Sequence, residues 1–512
     1  MHGTCITTRR QRVLRPTVSI ALALLLTVAW AQREVTVAIT SDPLSMDPHV
    51  AATTQTVTTV NHIFDNLVQR HPVTMAIVPN LATSWEISED RIYVFTLRED
   101  VRFHNGQVLT AEDVVFSFDR MLQPGFESMG NYVRPIIESV VALDELTVQI
   151  TLHAPYAPFL NRLPTFYIVP AAYVQEVGDD AFARAPIGTG PFRFVEWVHG
   201  EYWTFEAFED HWAGEPEVKR ATFRPIPEAS TRIAALLSGA VDIIEQVNLV
   251  DIPRLEADPS IRVEATNDNR FYFYAFQSSR PPFDDPRVRL AVAHAIDWDE
   301  ILWIFEGYGF RVAAPGLQTD FGYSAYIDDL EPLLPAYDPE RARELLAEAG
   351  YPDGLSITIE APRGQWPKDA ELAQAVASEL ARVGIDAEVR VSEYAVYLTD
   401  VYRGGRIEHM GFFTMGNPLF DPDHLFTVHF DPDGGGAYYN SPELTALGKR
   451  ARLVTNPDER AAIYGEMMRY LVVNQPYLWT HGLQQVYAMR SDIDWRPRPD
   501  IRMFMEEVSF RD

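Results

Sequence analysis

The sequence predicts an α/β protein built from two lobes. Residues 268–485 alternate helical and strand patterns in the βα manner. The segment 271–276 is almost wholly apolar, as expected for a strand that is buried on both faces of a parallel sheet. The chain has 512 residues, which is more than a single hydrophobic core normally supports. A two-lobed α/β architecture follows.

Residues 1–31 have the composition of an export signal. Four arginines precede an apolar run at 18–30, and Ala29-Trp30-Ala31 fits an A-x-A cleavage site. The run is shorter than the ~20 apolar residues that a membrane-spanning helix needs. We therefore expect cleavage after about Ala31 and a periplasmic location. Thr8-Arg9-Arg10 leaves twin-arginine export open beside the general secretion route.

The remaining 32–512 segment is strongly acidic and lacks cysteine. Loss of the four signal arginines changes the formal charge from −29 to −33, so the chain should repel nucleic acid and anionic lipid. The only cysteine, Cys5, lies within the signal. Disulfides, thiolate catalysis and cysteine-based metal sites are thereby excluded from the exported protein.

The first lobe is predicted to span 32–267, with an inserted subdomain at about 73–185. Alternating residues at Glu34–Ile39 predict its first strand, and 57–68 is predicted to be helical. The proline-held loop after the strand contains Ser41 and Asp42. Loops at the carboxyl ends of strands often bind ligands in α/β sheets, although an ordinary surface turn fits equally well.

Residues 79–121 predict a strand, a turn and a capped helix. Tyr93, Phe95 and Leu97 alternate with less apolar neighbours, which is the pattern of a half-buried strand. Asn105-Gly106 suits a tight turn. Thr110 can cap a helix with acidic residues in its first turn.

The same stretch resembles a known family. Its segments Leu-Ala-x-x-Trp, Leu-Arg-x-x-Val-x-Phe-x-x-Gly and Ala-x-Asp-Val, from 81 to 114, are similar in order and spacing to those of the solute-binding proteins of ABC importers, the peptide/opine/nickel group. The resemblance runs from Val35 to about Met489. It implies a type II periplasmic binding protein fold, enlarged by a subdomain in the first lobe. In that family the loop containing Ser41 and Asp42 lines the ligand cleft.

The glycine pair at 186–192 fits the family better than it fits a phosphate loop. The segment reads Pro-Ile-Gly-Thr-Gly-Pro-Phe, and neither Lys-Ser nor Lys-Thr nor a helix start follows it. It resembles the family's Pro-x-Gly-Thr-Gly-Pro turn, which leads into a strand.

The second lobe is predicted at 268–485. Helices begin where a capping residue precedes a proline, at Asp285, Asp338, Ser441 and Asn456, and a further helix follows Pro367. Residues 486–512 are expected to return to the first lobe. Two strand crossings would then form the hinge.

No catalytic constellation occurs in the sequence. Nucleophile-elbow, zinc-protease, Walker and dinucleotide motifs are absent from the 512 residues. The run 431–434 begins like a calcium loop, but its twelfth position is proline. His424 and His429 are candidates for a zinc or nickel site, with ordinary surface histidines as the alternative. We expect no cofactor, no metal and no enzymatic activity.

Two loops of the second lobe carry groups suited to a solute. Arg363 and Trp366 stand just before a helix amino end, where a guanidinium and a large ring could hold a carboxylate with a hydrophobic body. A strand at 410–415 leads into a loop with aromatic, amide and carboxylate groups. Its candidates are Phe413, Thr414, Asn417 and Asp421. Surface ion pairing and core packing are the alternative interpretation of both loops.

The resemblance gives these loops expected roles. Peptide binders of the family use an arginine before the third helix for the peptide carboxylate, and Arg363 matches it with a one-residue gap. They use an aspartate for the ammonium, and here Asn417 and Pro418 occupy its place. This departure argues against recognition of a free ammonium.

The expected function is capture of a short peptide or peptide-like carboxylate by hinge closure and its delivery to a membrane permease. We expect a monomer that binds no nucleic acid. An oligosaccharide or a metal chelate is the alternative solute. A secreted hydrolase with an acid pair and a chaperone-like binder of unfolded chains are the alternatives from other classes.

Overall fold

The computed structural model describes residues 33–51, 53–312, 330–403, 405–432 and 439–511. The predicted export signal and residues 433 and 434 of the calcium-like run lie outside these residues. Within the described ranges, none of the helices is both long and apolar enough to cross a membrane.

Runs of strands and of helices follow one another along the described residues. The strands are β1 (Glu34–Ile39), β2 (Val68–Arg70), β3 (Ile77–Pro79), β4 (Ala82–Ser88), β5 (Ile92–Leu97), β6 (Ile137–Asp144), β7 (Thr147–Leu152), β8 (Phe192–Val198), β9 (Tyr202–Ala207), β10 (Arg220–Pro225), β11 (Ile243–Ile244), β12 (Ile261–Phe276), β13 (Gly309–Arg311), β14 (Leu355–Arg363), β15 (Ile385–Glu393), β16 (Met410–Gly416), β17 (Tyr477–Arg490), β18 (Ile493–Asp494) and β19 (Ser509–Phe510).

The α-helices of the same residues are α1 (Thr54–Val60), α2 (Ala111–Met121), α3 (Glu127–Val133), α4 (Phe159–Arg162), α5 (Ala171–Val177), α6 (Asp179–Arg184), α7 (Ala229–Leu237), α8 (Ile252–Glu256), α9 (Pro286–His294), α10 (Trp298–Ile301), α11 (Pro339–Glu348), α12 (Asp369–Ala381), α13 (Tyr394–Tyr397), α14 (Pro422–His429), α15 (Pro442–Leu453) and α16 (Pro457–Asn474).

One mixed sheet runs through both halves of the molecule. Its strand order is β15-β14-β16-β12-β17-β11-β1-β10-β9-β8, with β13 beside β17. Strands β14, β15 and β16 are mutually parallel where they pair, and β1 is parallel to β10 and β11. The α/β fold class predicted from the sequence is confirmed.

The two long strands β12 and β17 connect the halves. The first half of β12, Ile261–Asn267 in the register, pairs with Arg490–Gln484, and its second half pairs with Gly482–Tyr477. Strand β11 joins β17 at one end, while β16 joins β12 at the other. The register shifts between Asn267 and Phe271. The lobe boundaries at 267/268 and 485/486 remain predictions, and this irregularity lies beside the first of them.

A separate antiparallel sheet, β4-β5-β7-β6, lies within the stretch predicted as an inserted subdomain. Tyr93, Phe95 and Leu97 are buried on one face of β5, as their alternation predicts. Helix α2 packs beside this sheet and contributes Val114, Phe118 and others to the same apolar cluster. Its amino end is a capping box, in which the side chain of each of Thr110 and Asp113 hydrogen-bonds to the backbone amide of the other.

The predicted helix at 57–68 is wrong in its second half. Helix α1 ends at Val60, and the backbone of the next residues bonds to the glycine turn instead. The carbonyls of His62 and Ile63 accept hydrogen bonds from the amides of Phe192 and Gly190, both at 2.9 Å. Because these carbonyls serve the turn, a tertiary contact has replaced the continued helix.

The glycine turn is held in place by a buried carboxylate. Asp65 accepts hydrogen bonds from Thr189 Oγ1 at 2.9 Å and from Trp212 Nε1 at 3.2 Å. Burial raises the pKa of Asp65, but the interactions with His211, Trp212 and Thr189 outweigh burial, so its pKa lies below the ordinary value. The turn is therefore a structural element and not a phosphate loop.

Gly190→Ala should destabilise the fold. A Cβ on Gly190 would lie 2.6 Å from the carbonyl carbon of Ile63 and 2.7 Å from His62 O, and backbone atoms cannot move aside cheaply. We expect a loss of about 1–3 kcal/mol of unfolding free energy. Chemical denaturation would measure it. Gly416→Ala is the matched control because its Cβ would meet nothing closer than 3.5 Å, and an equal loss in both variants would contradict the steric account.

Candidate functional site

The carboxyl ends of three parallel strands meet at one edge of the second lobe. Strand β14 ends at Arg363, directly beside Glu393 at the end of β15. Strand β16 runs parallel to β14 and ends at Gly416. Residues at the carboxyl ends of these strands, and residues just after them, therefore lie close together. Ligands commonly bind at this position in α/β sheets.

Arg363 is an exposed guanidinium at this edge. Across the described residues, no ion pair or side-chain hydrogen bond holds it, and the neighbouring carboxylate of Glu393 does not pair with it. Alternation along β14 places Arg363 on the same face as Ile359 and Ala361, which belong to the apolar cluster under α12.

The backbone amides just after Arg363 are already occupied. The Asp369 carboxylate accepts hydrogen bonds from the amides of Gly364 at 3.2 Å, Gln365 at 3.1 Å and Trp366 at 3.2 Å. Asp369 is buried. The amides of the loop before α12 are thus satisfied by the chain, and the exposed Arg363 guanidinium is an anion donor of this loop.

Aromatic rings form a wall at the same edge, starting with Trp366 three residues after Arg363. Trp366 is half-buried and meets Tyr394 edge-on at 5.4 Å between ring centroids, Phe412 at 5.8 Å and Tyr272 at 6.4 Å. Tyr272 in turn stacks on His481 at 4.6 Å. Burial lowers the pKa of His481 to about 3, so this ring is neutral. The wall is apolar and uncharged.

Thr414 and Phe413 point to opposite faces of β16. Phe413 is buried against Phe273 at 5.9 Å and belongs to the apolar cluster on the far face. Thr414 pairs in register with Tyr272 and shares the face that carries the aromatic wall. Its hydroxyl is buried and has no hydrogen-bond partner among the described residues. Only Thr414 of the two therefore lies with Arg363 and Trp366.

Asn417 and Asp421 serve the loop that follows β16. The backbone amide of Asn417 donates to the backbone carbonyl of Asn269 at 3.1 Å. The side-chain oxygen of Asn417 accepts from the backbone amide of Asp421 at 3.4 Å. Asp421 is fully buried, caps α14, and receives two hydrogen bonds from Arg460, at 2.6 and 2.8 Å. The Asp421 carboxylate is a structural anchor in this arrangement.

Ser41 and Asp42 lie at the carboxyl end of β1, in the other half of the sheet. Ser41 is exposed. Asp42 accepts hydrogen bonds from Trp197 Nε1 at 3.1 Å and from the Gly200 amide at 2.8 Å, which ties its loop to the β8–β9 hairpin. Beside them the Thr40 amide donates to Glu245 at 2.8 Å.

Tyr272 and Tyr394 are wall residues that no sequence motif singles out. The alternation of β12 could have placed Tyr272 on the same face as Tyr274, and Tyr394 follows directly on the carboxyl end of β15. Asp369 could not have been found, because its acceptor role depends on how the loop before it turns.

The histidine candidates do not assemble a metal site. Within the described ranges, no group of three or more His, Cys, Asp or Glu side chains could hold a metal ion. His429 is buried against Phe273 and Tyr477, and burial lowers its pKa to about 3.

Comparisons with known proteins agree on one family. Residues 76–436 match the family described as bacterial extracellular solute-binding proteins, family 5 Middle. The heme-binding protein A of Haemophilus influenzae is 30% identical over 81% of this chain and 80% of its own length. The dipeptide-binding protein of Escherichia coli is 31% identical over 72% of this chain and 73% of its own length.

A solved structure agrees with the sequence relatives. The ABC transporter-associated periplasmic binding protein DppA from Helicobacter pylori, solved with the peptide STSA, has a TM-score of 0.74 and 30% identity. The match covers 94% of this chain and 98% of that one.

Arg460→Met should destabilise the second lobe. It would leave the buried Asp421 carboxylate without its cation, and loss of one partner of a buried ion pair costs about 3–5 kcal/mol. Thermal or chemical unfolding would measure the loss. Arg469→Met removes an exposed arginine from the same helix and should change stability little. Equal stability of the two variants would show that Asp421 does not depend on Arg460.

Proposed function

Because this chain belongs to the bacterial extracellular solute-binding proteins of family 5, we propose that its solute is a short peptide or a peptide-like carboxylate. The family consists of binding receptors of ABC importers and not of enzymes, so the partners are a solute and a transporter. Capture occurs in the periplasm by closure of the two lobes around a hinge at β12 and β17. A solute that contacts both lobes favours closure only through its higher affinity for the closed state.

The Arg363 guanidinium is the observation that carries this proposal. It is exposed at the carboxyl edge of the second lobe, and the neighbouring amides are taken by Asp369. A guanidinium offers several donors in a planar fork that matches a carboxylate. A terminal or side-chain carboxylate of the solute would bind here.

The aromatic wall supports a solute with an apolar body next to its carboxylate. Trp366 and Tyr394 are partly exposed at the same edge as Arg363, and buried Tyr272 packs behind Trp366. The Thr414 hydroxyl is buried with no partner in the described part of the chain, and a polar group of the solute would satisfy it. Ligand sites commonly combine apolar walls with a few such polar groups.

The loop after β16 is a poor site for a free ammonium. Asn417 is neutral, while Asp421 and Asp423 are each paired with an arginine of their own lobe. Their negative charge is already compensated. We propose that the solute is recognised by its carboxylate and body, without an ammonium bound at this loop.

An oligosaccharide is the second candidate. Half-buried Trp366 with Tyr394 offers ring faces and edges of the kind on which sugar rings pack. A sugar would not require the Arg363 charge, so the same variant separates the two candidates.

Arg363→Ala should weaken solute binding by about 10- to 100-fold, since a charge-assisted hydrogen bond contributes about 1.5–3 kcal/mol. The experiment releases the co-purifying solute from residues 32–512, identifies it by mass spectrometry and measures its affinity by calorimetry. Amidation of a peptide carboxylate should produce a similar loss, and N-acetylation should leave the affinity within about threefold.

Arg184→Ala is the matched control, because it removes another exposed arginine far along the chain. It should bind as the unmodified protein does. An unchanged affinity in Arg363→Ala, or a sugar as the released solute, would overturn the carboxylate assignment and leave the family assignment standing.

A further inference from the structure

We propose that the first lobe, through its inserted subdomain and the adjoining Arg70, carries a latch that holds the two lobes together without solute. The latch consists of Arg70, Tyr156 and Asn161 on the first-lobe side and the loop 419–423 on the second-lobe side. The inference rests on the proposed function in one respect, namely that the protein works by opening and closing.

The first latch contact is made to the Asp421 carboxylate, which an arginine of its own lobe already holds in place. Arg460 holds both oxygens of Asp421, at 2.6 and 2.8 Å, and the carboxylate is fully buried. Asn161 Nδ2, from helix α4 of the subdomain, donates to Asp421 Oδ2 at 3.0 Å. Asp421 is therefore fixed by its own lobe and offers a remaining acceptor position to the other.

The second contact repeats this arrangement two residues along the chain, at Asp423. Arg452 Nε donates to Asp423 Oδ1 at 2.8 Å, and Tyr156 OH donates to Asp423 Oδ2 at 3.2 Å. Burial raises the pKa of Tyr156 to about 12, so its hydroxyl keeps the donated proton. Two carboxylates in succession thus receive one arginine from their own lobe and one neutral donor from the subdomain.

Backbone contacts place these side chains in register. Arg70 Nη2 donates to Leu419 O and to Asn161 O, both at 2.7 Å, and the guanidinium lies 4.8 Å from the centre of the Phe420 ring. The Ala157 amide donates to Arg452 O at 2.9 Å. The arginine joins the subdomain helix directly to the loop it contacts.

The latch contacts act on closure and not on the solute. Neither Asn161 nor Tyr156 belongs to the edge formed by Arg363, Trp366 and Thr414. When the lobes separate, Asp421 and Asp423 keep their arginines and lose only the subdomain donors, so opening leaves no uncompensated buried charge. The latch stabilises the closed state by the net value of these hydrogen bonds, and the closed fraction of the empty receptor rises accordingly.

The test uses the solute-free exported chain and two variants that are expected to fold. Tyr156→Phe removes one hydroxyl, and Asn161→Asp places a second carboxylate against Asp421, which repels it. Small-angle X-ray scattering reports the radius of gyration. Hydrogen exchange at the Ala157 amide reports the interface directly, because that amide donates to Arg452 O.

We expect the double variant to have a larger radius of gyration and at least tenfold faster exchange at Ala157. Tyr173→Phe is the matched control, since its hydroxyl bonds to Ala185 O at 3.1 Å inside the subdomain, and it should match the unmodified protein. Unchanged scattering and exchange in the double variant would overturn the latch.

The outcome is independent of the solute assignment. Arg363→Ala should leave both solute-free measurements unchanged, whereas it weakens solute binding. If Arg363→Ala binds normally and the latch variants open, the solute proposal fails and the latch stands. If Arg363→Ala also opens the solute-free chain, the separation of latch and solute site is wrong.

Discussion

The antiparallel pairing of β12 with β17 is the constraint on which the remaining structure depends. Both strands are long enough to reach neighbours in both halves of the sheet. Strand β11 pairs with β17 at one end of the ladder, and β16 pairs with β12 at the other end. The apolar clusters of the two halves pack on either end of this ladder. The register shift at 267–271 interrupts the ladder between them. A hinge at this irregularity would bend the ladder between the two cores.

The distribution of charge makes the proposed anionic solute compatible with an acidic receptor. Two buried carboxylates of the second lobe are compensated locally, Asp421 by Arg460 and Asp423 by Arg452. Asp369 is satisfied by backbone amides. Arg363 is different because no carboxylate of the described residues pairs with it, and its side chain is exposed to solvent. In the proposed site, selectivity would depend on the exposed Arg363 guanidinium and the apolar rings, and the charge of −33 expected for the exported chain would matter mainly for solubility and for exclusion of polyanions.

Local chemistry predicted much of the fold. Helices α9, α11, α15 and α16 begin at the proline that follows their capping residue, because cap and proline act within one turn. Helix α1 stops early because the carbonyls of His62 and Ile63 bond to a turn more than 120 residues away. At the site, Arg363 and Trp366 could be proposed from the loop sequence. The role of Asp421 could not, since Arg460 comes from another helix and Asn161 from the subdomain.

Separation of the latch from the solute edge has a consequence for specificity. Closure of the empty receptor requires part of the interface energy to be independent of solute, and the loop 419–423 supplies such contacts through Arg70, Tyr156 and Asn161. The apparent affinity is then the intrinsic affinity scaled by the closed fraction. Substitutions at the latch would change affinity for every solute by the same factor, whereas substitutions at Arg363 or in the aromatic wall would change the order of preference. Closure and solute preference can therefore be changed by substitutions at different residues of the same receptor.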